Sequence, residues 1–199
     1  MDPKDVRNGD VNKVTQPNKA MDGLESFLSA LESNNPPEWD ALPDLGLYMD
    51  QVINYLERQI GLLFPPNREG AITSSMINNY VKANVIPRAR SKKYSQEHIA
   101  LLLAAFVLKK ALTTQDMGVL MTKGTDSAIE DPYRSFYEHY RSTLLECGKT
   151  VAQEIRATLE EEPFGGDFLR PLALKLAVEA SIRSLAAEML LTLLEPMAH

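Results

Sequence analysis

The sequence predicts an all-α protein, a winged helix-turn-helix domain followed by a helical C-terminal hairpin. Three observations predict it. Apolar residues recur at three- and four-residue spacing along most of the chain from Leu24 to Leu194. Capping and stop residues bracket each periodic run. No segment shows the two-residue alternation of a half-buried strand.

The elements follow in order. Residues 1–40 read as a polar tail, disordered over its first half, with one short amphipathic helix. Asp22 caps that helix, Glu25 stands three residues on, and Leu24, Phe27, Leu28 and Leu31 share a face. The two prolines of SNNPPEW exclude helix between Ser33 and Trp39. Residues 41–122 form the second unit. The run Leu45, Tyr48, Val52, Leu56, Ile60 marks a helix stopped by Gly61, and GLLFPPNREG is a loop. Thr73 caps a helix that buries Met76, Ile77, Tyr80 and Val81 and ends at Ala83. Asn84 suits the left-handed residue after a helix, and Pro87 blocks continuation. RARSKKY is a tight β-like excursion. Ser95 then caps the apolar helix IALLLAAFVLKKAL, and Thr113 or Thr114 caps a short helix through Met121. Residues 123–199 are the third unit: a long helix opened by Asp131-Pro132, the break PFGGD, and a last helix from about Phe168 to Glu195. The two long helices are expected to pair as an antiparallel hairpin.

Composition narrows the function. Hydrophobic residues make up 44% and charged residues 24% of 199, enough to build a core. The one cysteine, Cys147, reads as a small apolar residue on a helix and allows neither an internal disulfide nor a thiolate metal site. The N-terminus is polar where a secretory signal would be apolar. Leu172–Leu194 is interrupted by Lys175, Glu179, Arg183 and Glu188, so it is amphipathic and does not span a membrane. A cytoplasmic location is expected. The net charge of −6 conceals a contrast, since Asn67–Lys110 holds 8 Lys and Arg against 2 Asp and Glu. One basic segment in an acidic body suggests a specific polyanion contact.

That segment contains two helices, a turn, a basic excursion and a further helix, the order of a winged helix-turn-helix. A helix fits the major groove, its polar side chains reach base edges, and flanking cations neutralise phosphates. Burial of Met76, Ile77, Tyr80 and Val81 leaves Thr73, Ser74, Ser75, Asn78, Asn79 and Lys82 on the outer face. Asparagine can bond both edge groups of adenine. Arg88, Arg90, Lys92, Lys93 and Tyr94 then line the excursion and reach the backbone beside the groove. Double-stranded DNA is the expected partner.

On these residues the sequence resembles the DNA-binding half of the MerR family of transcriptional regulators. The family's second helix, glycine, Leu-Ile-like pair, proline, wing and Tyr-Ser/Asp-x-Glu-Asp-Leu start correspond to Ile77-Asn78-Asn79-Tyr80, Asn84, Val85-Ile86-Pro87 and Lys93-Tyr94-Ser95-Gln96-Glu97-His98-Ile99. Asn78 stands where that family has a phosphate-binding arginine, the wing is short and lacks glycine, and the loop from Gly61 to Gly70 is longer. Over about Leu42 to Glu160 the chain is similar to a bacterial family catalogued as domain of unknown function 1836. That resemblance implies a DNA-binding regulator and brings no ligand, cofactor or catalytic residue.

Other features have plainer readings. His98 falls in the first turn of its helix, where a positive imidazole opposes the dipole, so it reads as neutral and structural or as a phosphate contact. His139 has no second His or Cys at ligand spacing, and no cofactor or metal is expected. Tyr133, Phe136, Tyr137 and Tyr140 read as core packed against the last helix, or as the lining of an effector pocket. LAVEASIRSLAAEMLLTLL carries more apolar surface than one hairpin buries, which predicts a homodimer through the C-terminal helices. Nothing indicates an enzyme: no nucleophile–base pair, phosphate loop or metal spacing is present. The alternative to a DNA reader is a helical protein–protein adaptor that kept the fold and lost DNA binding.

Overall fold

The computed structural model describes residues 11–33, 35–60, 72–121, 130–161 and 166–194. Seven α-helices and one 3-10 turn account for most of them: α1 (Val11–Ser33), the turn Trp39–Ala41, α2 (Met49–Ile60), α3 (Ser74–Lys82), α4 (Gln96–Leu108), α5 (Thr114–Met121), α6 (Pro132–Glu161) and α7 (Gly166–Leu194). Among the described residues there is no β-strand, only two isolated β-bridges. The protein is all-α. The loop expected at 61–70 and the PFGGD break at 163–167 lie wholly or largely outside the described residues.

The core is built around α4. Every residue from His98 to Phe106 is buried, and nearly all are apolar. A helix apolar on all sides must be covered on all sides. Here α2, α5 and α6 surround it, with Val52, Leu56, Tyr137 and Met117 among the buried partners. Tyr137 is fully buried, lies 6.0 Å from the Trp39 ring and donates to the Pro37 carbonyl at 2.9 Å. The Tyr140 hydroxyl reaches the Leu103 carbonyl at 3.3 Å. Burial raises both tyrosine pKa values. The aromatic stripe of α6 is therefore core, packed with Trp39 and α4 in a cluster that also takes in Ala187 and Leu191 of α7.

A second, smaller cluster joins Leu28 of α1 to Ala152 and Ile155 of α6, with Leu172 and Leu176 of α7 against it. Charge reinforces it: Arg156 bonds Glu25 and Glu32, each at 2.6 Å. Arg134 pairs with Asp40 at 3.1 Å, and Arg141 donates to the Pro36 carbonyl at 2.8 Å. Three arginines thus fasten the N-terminal segment to α6.

Several helix ends match their sequence signals. Thr113 and Asp116 exchange bonds at the start of α5, so Thr113 is the cap. Asp131 accepts from the Arg134 amide at 3.0 Å, with Pro132 first in α6. Other expectations need correction. α1 begins at Val11, about three turns before the Asp22 cap expected, because extending a docked helix fixes fewer torsions per bond than starting one. α2 begins at Met49, and Leu45 and Tyr48 are exposed before it, because Leu47 is held extended by its bridge to Tyr94. α6 lies along α1 and α4, and α7 runs back beside it: Lys175 meets Glu154 at 2.6 Å, Leu172 and Leu176 pack on the Ala152–Ile155 cluster, and Leu191 shares the main core with Tyr137. Tyr137 and Leu191 share the main core with residues before 122, so that boundary does not divide two cores. Cys147 lies on α6, as its reading as a small helix residue expected, and is exposed there.

Two substitutions separate the clusters. Leu102→Ala should lower global stability to urea by about 2–5 kcal/mol, the cost of a cavity in a filled core. At Gly148 a Cβ would lie 2.4 Å from the Leu31 carbonyl oxygen. Gly148→Ala should therefore raise amide exchange selectively in α1, with α4 still protected.

Candidate nucleic-acid interface

α3 is bounded by specific bonds. The Thr73 hydroxyl accepts the Met76 amide at 3.2 Å, and Ile77 and Tyr80 are buried. At the other end Asn84 takes φ 58°, the Val85 amide bonds the Tyr80 carbonyl at 2.9 Å, and the Asn84 amide bonds Val81 at 3.2 Å. That is a Schellman closure, in which the left-handed residue satisfies the last carbonyls and ends the helix. Between these ends Ser74, Ser75, Asn78, Asn79 and Lys82 are all exposed. The helix carries no acidic residue.

The excursion is a hairpin of the smallest kind. Arg90 and Lys93 exchange amide–carbonyl bonds at 3.2 and 2.9 Å, and the two residues between them, Ser91 and Lys92, have φ 50° and 63°. Positive φ at both central residues is the signature of a type I′ turn, which matches strand twist and favours Asn-Gly. Ser and Lys pay a steric penalty there, roughly 1–2 kcal/mol each. The tight excursion expected of RARSKKY is present, but its turn type was not legible, because neither Ser91 nor Lys92 is a turn former of that class.

Below the hairpin, Leu47 and Tyr94 exchange bonds at 2.9 and 2.8 Å. A Cβ on Gly46 would sit 3.0 Å from that of Lys93, so glycine permits this close approach. The Lys93 ammonium lies 5.6 Å from the centre of the Tyr48 ring. Sequence reading missed Gly46 and Tyr48, whose relation to the hairpin is purely tertiary.

The candidate residues divide by exposure. Arg88, Arg90, Lys92 and Lys93 are exposed, and among the described residues none of them, nor Lys82, has a carboxylate within ion-pair distance. The α6 arginines, in contrast, are committed to carboxylates and carbonyls. Tyr94 departs from the expected set. It is 5% exposed, and its ring meets His98 edge-on at 5.5 Å, so it anchors the hairpin from beneath.

His98 completes the support. Its Nδ1 accepts the Ser95 amide at 3.1 Å, which places the proton on Nε2. Nε2 is buried and has no hydrogen-bond partner among the described residues. Burial lowers the His98 pKa, so the neutral form is favoured and phosphate contact is closed to it. Beside it, the Ser95 hydroxyl bonds the Glu97 carboxylate and lowers its pKa.

The family model for a domain of unknown function, DUF1836, matches residues 37–142. The chain belongs to the DUF1836 family. No curated protein and no solved structure matches it. The DUF1836 match begins beside Trp39 and ends just past Tyr140, so it takes in α4, its cover and the hairpin. α1 and α7 lie outside it. Among the described residues, no helix is long and apolar enough to cross a membrane, and no cluster of metal-ligating side chains occurs.

The His98 geometry has a pH consequence. Its folded pKa lies below the unfolded value of about 6.5, so the unfolded chain binds the extra proton first. Stability should be full above that pH and decline as pH falls through the window beneath it. His98→Gln should flatten that part of the urea-midpoint profile while leaving the carboxylate limb below about pH 4.5 in place.

Proposed function

We propose that this DUF1836 protein is a cytoplasmic DNA-binding transcriptional regulator with a MerR-like winged helix-turn-helix. α3 enters the major groove with Asn78 and Asn79 toward base edges. The hairpin lies on flanking phosphates as the wing. One observation carries the reading: an acid-free polar helix face is followed by a hairpin whose four cations have no carboxylate partner among the described residues. Cations held by ion pairs would have to give them up to bind phosphate, whereas these need not.

Turn strain supports the same reading. Strained backbone is retained where something else depends on it. Lys92 in a left-handed conformation holds a charge at the hairpin tip, where glycine would fit the turn better and carry none. Ser74, Ser75 and Lys82 flank the asparagines and can reach sugar-phosphate oxygens, with Thr73 spent on its cap. The adaptor reading retains one argument, that Asn78 stands where MerR-type relatives place arginine.

Titration of a labelled duplex from the promoter region of the protein's own gene, at two salt concentrations, tests this. Affinity should fall steeply with salt, since counterion release supplies much of it. Arg90→Ala and Lys92→Ala should weaken binding to every duplex and each reduce the log–log salt slope by about 1. Asn78→Ala and Asn79→Ala should relax sequence preference at a cost of about 1–3 kcal/mol per lost base contact. Lys92→Gly should stabilise the fold while weakening binding. Binding that ignores salt and all four alanines would reject the reading.

A further inference from the structure

α7 has two apolar faces. Leu172, Leu176, Ala187 and Leu191 turn inward onto the two clusters. Ser184 bonds the Ala111 carbonyl on the same side. On the opposite side stand Leu174, Val178, Ile182, Leu185, Met189 and Leu193, each between 51 and 65% exposed. A water-facing row of this length on one helix is not the scattered apolar exposure normal for a monomer.

The spacing of the row identifies its occupant. Successive members are four, four, three, four and four residues apart, so the row reads the same from either end. Its midpoint falls between Arg183 and Ser184. A two-fold interface uses one patch on both partners and requires that patch to match itself. Laid antiparallel on a second α7, Leu174 meets Leu193, Val178 meets Met189 and Ile182 meets Leu185, with every member partnered. A parallel pair would accept any spacing, so only antiparallel pairing uses the palindrome. The four-three alternation near the centre is also the period that keeps a seam facing its partner.

Area agrees. Burying a Leu-sized side chain is worth about 1.5–3 kcal/mol at about 25 cal/mol per Å², or about 60–120 Å² each. At about three-fifths exposure, the six residues of the row offer on the order of 200–400 Å² per protomer. Doubled, that is on the order of 400–800 Å², and the alanines and polar flanks of the same face carry it toward the roughly 1,000 Å² that a specific interface needs.

We propose that α7 pairs antiparallel with α7 of a second copy of this chain, about a two-fold axis between Arg183 and Ser184. The hairpins and α3 helices then become two-fold related, as a palindromic site requires, although the pairing does not depend on DNA binding. Light scattering on the full chain, without DNA, tests it. The expected mass is twice 22.2 kDa at micromolar concentration. A mass of 22.2 kDa there would overturn the proposal.

Ile182→Glu should weaken association about 100-fold or more, because it leaves a charge unpaired in an apolar seam. Residue 182 is exposed in the protomer, so its circular dichroism should not change. A dimer that survives this change lies elsewhere. Orientation is read from two double variants. I182K/L185E sets lysine opposite glutamate only when the helices run antiparallel, and it should associate about tenfold more tightly than I182K/L185K, the size of coupling expected between contacting charges. Equal affinities would overturn the antiparallel register. A dimer that binds no duplex leaves this inference intact and removes the DNA reading, and a duplex-binding monomer does the reverse.

Discussion

The rest of the structure depends on burying α4 on every side. Its run from His98 to Phe106 is buried throughout, and a nearly all-apolar helix gains with every face that is covered. At about 1.5–3 kcal/mol per large side chain, Ile99, Leu101, Leu102, Leu103 and Phe106 together stabilise the fold by roughly 10 kcal/mol before entropy is charged against them. No other element offers burial on that scale. The helices around α4 take their positions from it. α2 lies on α4 and carries α3 on its other flank, so the polar face of α3 points away from the core by consequence. The hairpin joins directly to the α4 cap through Tyr94, Ser95 and His98.

The hairpin shows how a strained element can persist beside such a core. Two left-handed non-glycine residues cost roughly 2–4 kcal/mol together. The four bridge bonds, two between Arg90 and Lys93 and two between Leu47 and Tyr94, return about 0.5–1.5 kcal/mol each. These magnitudes nearly cancel, so hydrogen bonding alone leaves the hairpin marginal. Burial of Tyr94 decides the balance, because withdrawing that ring would open the core at His98. The hairpin is fixed by its base and stressed at its tip, which places its cations firmly without needing a larger sheet.

How much was legible follows from whether a feature is local. Thr73, Asn84, Ser95 and Asp131 act within one turn of their own positions, and each end they mark appears in the structure. The exposed face of α3 followed from the same periodicity. Tyr94 was misjudged because a tyrosine among basic residues looks like a surface contact, and only the Leu47 bridge shows it turned inward. Leu45 and Tyr48 fit a helical period by coincidence, and a tertiary bridge overrode it. The packing of α1 along α6 is tertiary as well: Leu28 on Ala152 and Ile155, with Arg156 bonded to Glu25 and Glu32, follows from no local spacing in the sequence.

α7 lies against the molecule by its inner row, Leu172, Leu176, Ala187 and Leu191, and by the 2.6 Å contact of Lys175 with Glu154. Its outer row faces solvent. The charges show the complementary pattern. Arg134, Arg141 and Arg156 neutralise part of the acidic body near the straps, whereas among the described residues the hairpin cations have no ion-pair partner, on a chain of net charge −6. A polyanion approaching such a molecule is repelled by most of its surface and drawn to one small region, so orientation is set before contact. Among the described residues, the apolar row on α7 and the basic face on α3 and the hairpin are thus surfaces that the fold itself does not use.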